Sequence, residues 1–199
     1  MSKVGAMMIS AFAHSLHRVV SRGERAGVAA IEFALYSTVF LAILAGTVDI
    51  GNLIFSEFQL DAQVAAGAQY AVIGASNVDS SSGASLASSV STIVNNSRGS
   101  GAGWSNTVVI NNGPSVTTTN GTPSSSGTAA NADSCYCLTG TPGSWSWGGA
   151  QSCGNTCTGG GTAGKFVTIT ATRTIVPFFP SWAYFSNNTL ARSAVVQTQ

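Results

Sequence analysis

The sequence predicts an α+β fold. A long amino-terminal transmembrane helix continues into a small extracytoplasmic domain of one helix and an antiparallel sheet, held by disulfides. Three observations lead there. A run of 16 residues, Phe33 to Val48, carries no charge. Further on, apolar residues alternate with hydroxyls from Val167 to Thr174, the period of a half-buried strand. Four cysteines, Cys135, Cys137, Cys153 and Cys157, cluster in the carboxyl-terminal half. Only 8% of the 199 residues are charged, against about a quarter in an ordinary soluble domain. With 8 basic and 7 acidic residues the net charge is +1, which excludes a nucleic-acid binder working through a large basic surface.

The helix comes first. Residues 1–27 form a basic leader, with Lys3, Arg18, Arg22 and Arg25 against the single acid Glu24. After the uncharged run Asp49 interrupts, and Ile50 to Ser56 adds seven more uncharged residues. A helix needs about 20 residues to cross a bilayer core, so about 31–56 suffices with Asp49 near one interface. The basic leader places the amino terminus in the cytoplasm and the chain beyond about residue 57 outside. A buried core helix is the rival reading, but the remaining chain offers too little apolar surface to bury it. A cleaved signal peptide is another, yet no small-x-small site follows the run. Asp49, Asn52, Ser56, Gln59 and Gln63 recur in steps of three or four, a polar stripe where the helix leaves the membrane. One helix over about 28–75 is therefore predicted, with residues 76–199 forming the outer domain.

Glu32 stands at the start of this membrane helix, where a carboxylate is costly unless paired. Counting Val28 as the first residue, it is the fifth. Cleavage between Gly27 and Val28 would create an ammonium group, on this chain or a neighbour, able to neutralise it. The alternative places Glu32 among headgroups with Arg25 as counter-ion.

The stretch Arg22-Gly23-Glu24-Arg25-Ala26-Gly27-Val28-Ala29-Ala30-Ile31-Glu32-Phe33 resembles the amino terminus of TadE-like proteins. These are pseudopilins or minor pilins of the tight-adherence (Flp) pilus system, within the type IV pilin group. There a basic leader ends in Gly, a prepilin peptidase cuts after it, and Glu stands at mature position five. The resemblance implies cleavage at Gly27–Val28 and an assembly role for Glu32 and for Phe33, which stands where the Flp signature has Tyr. Ala65 to Ala71 is similar to the small-residue segment that follows the family's membrane helix. Phe166–Ala171 and Leu190–Val196 look like its two terminal strands, flanking Pro177-Phe178-Phe179-Pro180.

The outer region is polar but uncharged: 50 of the 80 residues from Ser81 to Gly160 are Gly, Ser, Thr or Asn. Leu86, Val90, Ile93 and Val94 at helical spacing predict a short amphipathic helix over 84–97. Residues 107–111 and 116–120 read as strands of a hairpin turning at Asn112-Gly113-Pro114. Val167, Ile169, Ala171 and Ile175 form the apolar face of the last predicted long strand, with Arg173 on that same side.

So thin a core needs a staple. An even cysteine count in an oxidising compartment favours two disulfides, and direct Cys135–Cys137 pairing would be strained. Cross-pairing between the C-x-C and C-x3-C clusters follows, in either of two ways. A four-thiolate zinc site is the rival. Trp145 and Trp147 are expected to cap the bridges.

No enzyme is expected and no cofactor is called for. Beyond residue 62 the acids are Asp79 and Asp133, with no histidine, and nothing in the sequence brings the two aspartates together. His14 and His17 lie in the leader. The resemblance thus implies a pilus assembly component in a bacterial inner membrane, with residues 76–199 in the periplasm. Its expected partners are the lipid bilayer, prepilin peptidase, other pilus subunits and assembly-platform proteins. Small residues Ala42, Ala45 and Gly46 would let helices approach closely. The competing function is an uncleaved membrane-anchored binding module using the Cys/Trp loop.

Overall fold

The computed structural model describes residues 4–96, 102–177 and 188–199, with side chains from Gly27 onward. Pro177 is thus described, whereas Phe178-Phe179-Pro180 lies outside the described residues. The chain divides into two compact units, Met1–Asp49 and Ile50–Gln199, and its fold is α+β.

Helix α1 runs Val4–Ile73. It starts ahead of the predicted 28, so the leader is helical too. The leader has no proline, and Gly23 and Gly27 each cost only about 1 kcal/mol in a helix interior, which does not break it. Within the first unit, Val28, Ile31, Phe33, Leu35 and Phe40 are all exposed. The hydroxyls of Ser37, Thr38 and Thr47 donate to carbonyls one turn back, Ala34, Leu35 and Leu44. Such bonds satisfy polar groups inside the helix itself, as a hydrocarbon surrounding requires. Residues Gly27–Ile73 are long and apolar enough to cross a membrane.

The second unit is a two-layer sandwich. Its sheet has the order β3-β2-β1-β6-β7, antiparallel throughout. The strands are β1 Trp104–Ile110, β2 Ser115–Thr119, β3 Thr122–Ser126, β6 Phe166–Thr174 and β7 Thr189–Gln197. Helix α2, Gly83–Asn96, and the carboxyl-terminal part of α1 cover one face. Leu60, Val64 and Ala71 of α1, Leu86, Val90 and Val94 of α2, and Val108, Ile110, Val167 and Ile169 of the sheet form one buried core. Gly67 explains how closely the layers meet. A Cβ there would lie 2.6 Å from Val94 Cγ2 and 3.2 Å from Ile169 Cδ1, so a side chain would push the layers apart.

The predicted α2 and β1–β2 hairpin appear within a few residues of their expected limits. The β2–β3 hairpin turns on Asn120 and Gly121, both with positive φ (50° and 89°). That left-handed pair suits a tight hairpin and favours Asn-Gly. A separate two-stranded hairpin, β4 Thr139–Thr141 with β5 Ser144–Ser146, belongs to the cysteine-bearing loop.

Candidate functional site

Gly27, Val28, Glu32 and Phe33 lie on one stretch of α1. Helical geometry sets Val28 and Glu32 one turn apart on the same face. Val28 is 58% and Phe33 75% exposed, Glu32 is exposed, and a Cβ on Gly27 would meet no atom within 4 Å. The segment therefore presents a carboxylate on an otherwise apolar, uncovered surface, an arrangement that calls for a cation once lipid surrounds it. The side chain of Arg25, the alternative counter-ion, lies outside the described residues.

The later members of the polar stripe on α1 turn inward, while Asn52 is exposed. Ser56 is 1% and Gln63 2% exposed, turned into the second unit. Gln59 Oε1 accepts a hydrogen bond from Arg173 Nη1 at 3.2 Å. The Arg173 guanidinium also stacks 4.7 Å from the Trp104 ring centroid, so its place on the apolar side of β6 is satisfied. Next to it, Arg192 of β7 pairs with Glu57 at 3.1 Å and Asp61 at 3.0 Å. Sequence reasoning named Gln59 and Arg173 without joining them, and it did not single out Trp104, Arg192, Glu57 or Asp61. The steps of three and four were its only signal, and periodicity does not say what a face meets.

The cysteines pair as Cys135–Cys153 and Cys137–Cys157. This is one of the two cross-pairings, and it leaves no thiol for zinc. Cys135, Cys157 and Ala163 form their own small buried cluster, separate from the main core. Trp147 packs edge-on against Tyr136 with centroids 6.1 Å apart, and Trp145 is half-buried. Trp147 thus belongs to the packing of the loop, and neither ring is fully exposed.

Asp79 and Asp133 do converge, against the expectation. Asp79 Oδ1 accepts from the amides of Ser81 and Ser82 and from the Ser81 hydroxyl. Asp133 Oδ1 accepts from the amide of Ser80 at 2.8 Å. Lys165 Nζ donates to the neighbouring Val78 carbonyl at 2.8 Å. The Ser81 hydroxyl, then the Ser82 amide, hold the Asp79 carboxyl below its ordinary 3.8. The Ser80 hydroxyl and amide do the same for Asp133. Both carboxylates are occupied as acceptors around the turn before α2, a structural use. Among the described residues, no group of three or more His, Cys, Asp or Glu side chains is placed to hold a metal ion.

No curated protein and no solved structure matches the chain. A family model, described as TadE-like protein, matches residues 27–69. That match begins at Gly27, takes in Val28, Glu32 and Phe33, and ends on the helix that enters the second unit. Over residues 27–69, the apolar part of α1 and its continuation, the chain is similar to the TadE-like family.

Proposed function

We propose that this protein is an assembly component of a tight-adherence pilus, a minor pilin or pseudopilin with a structural and not a catalytic role. In this reading the leader stays cytoplasmic, α1 crosses the inner membrane over about 31–56, and the Ile50–Gln199 unit faces the periplasm. A prepilin peptidase cuts between Gly27 and Val28. Glu32 then accepts the new ammonium group of a neighbouring subunit and sets the stagger between helices, with Phe33 beside it. Other pilus subunits and platform proteins are its partners. The observation that carries the reading is the TadE-like match beginning at Gly27, on a helix whose apolar residues are uncovered there.

Mass spectrometry of the protein from its native membrane tests the cleavage. A mature amino terminus at Val28 is expected, and an intact leader would overturn it in favour of an anchored module. Replacing Glu32→Ala should leave membrane insertion intact and reduce co-purification with pilus subunits severalfold. Wild-type recovery of those subunits would remove the pairing role.

A further inference from the structure

Gln63 is the largest buried polar side chain on α1 within the second unit, 2% exposed. Its Nε2 is buried and has no hydrogen-bond partner. Beside it lies a cavity of about 10 Å³ lined by Val94, Asn95, Trp104, Asn106 and Thr118. The polar wall is already organised: Ser91 Oγ donates to Asn106 Oδ1 at 2.7 Å and lies 2.8 Å from Thr118 Oγ1.

We propose that Gln63 and this wall bind a single water molecule, which bridges the α1 amide to the polar cluster shared by α2, β1 and β2. The volume sets the ligand: about 10–15 Å³ admits one water and excludes any organic group. The chemistry agrees, because Nε2 is a donor and needs an acceptor, while the hydroxyl of Thr118 can give or take a proton. Water does both, so it satisfies the carboxamide whichever way round the amide is turned. An apolar cavity of this size would stay dry, but Asn95, Asn106 and Thr118 supply the two to four polar partners that a buried water uses.

The test is a water–amide NOE measurement on the detergent-solubilised full chain, with the Gln63 side-chain amide assigned. A cross-peak to water with the sign of a long-lived bound molecule is expected. An assigned Gln63 amide with no such peak overturns the site. A second measurement uses Gln63→Met, followed by denaturant unfolding in the same detergent. If water satisfies the amide, the folding equilibrium constant should change by less than about tenfold. An unrelieved buried donor is costly enough that its removal would raise the constant about tenfold or more, and that rise would equally sink the proposal.

Discussion

Asp79 and Asp133 show how few charges the second unit uses and how locally it uses them. Each accepts hydrogen bonds from serines of the 80–82 turn, and those bonds favour the ionised form, lowering both carboxyls from 3.8. Near that pH the folded chain binds fewer protons than the unfolded chain. Their contribution is therefore fully present above the ordinary carboxyl range and is lost as pH falls through it toward the lowered folded values. Stability measured by denaturant midpoint should decline as pH drops below about 4, and Asp79→Asn with Asp133→Asn should flatten that decline. An unchanged slope in the double variant would show that other acids set it. Arg192 is the other telling residue. Its two carboxylate partners are a third or more exposed, so each pair contributes about 0–1 kcal/mol and orients the seam more than it stabilises it.

Among the elements, the ones that sequence reasoning captured are those with strong periodicity. Leu86, Val90 and Val94 line up every four residues and all are buried, and the alternation of Val167, Ile169 and Ala171 gives β6. The polar hairpin strand β3, Thr122–Ser126, is exposed at every position, so no apolar alternation announces it. The Asn120-Gly121 turn was the available signal. The disulfide pairing was equally out of reach, since both cross-pairings close loops of similar length and loop entropy does not separate them. The consequence of the observed pairing is local. Sequence separations of 18 and 20 correspond to about 3 kcal/mol per bridge in the chain-entropy model, and the cluster around them is distinct from the main core. Replacing all four cysteines with serine should accelerate amide exchange across 135–164 while β1 and β6 keep their protection. Loss of protection in β6 to the same extent would show that the loop is not an independent unit.

Across the whole molecule, the sequence made the membrane-competent helix legible through its uncharged run. The polar stripe marked where the helix leaves its apolar run, but not that the helix goes on to fill the core of the second unit. Leu60 and Val64 are aliphatic side chains of the same helix as Leu41 and Leu44, yet the first pair is buried at 0% and 5% while Leu41 and Leu44 are 62% and 44% exposed. The side chains are of one kind; what each pair faces differs. Burying Leu60 and Val64 stabilises the second unit by about 3–6 kcal/mol, a large share of the about 5–15 kcal/mol by which domains are stable. A chain beginning at Ile50 should therefore fold in mild detergent with a cooperative thermal transition, the detergent covering the exposed Phe55 and Phe58. One beginning at Ser76, lacking Leu60, Val64 and Ala71, should show no such transition and should expose the α2 and sheet core to a hydrophobic dye. If the shorter chain unfolds as cooperatively as the longer, the helix is only an anchor and the sheet with α2 forms a sufficient core alone.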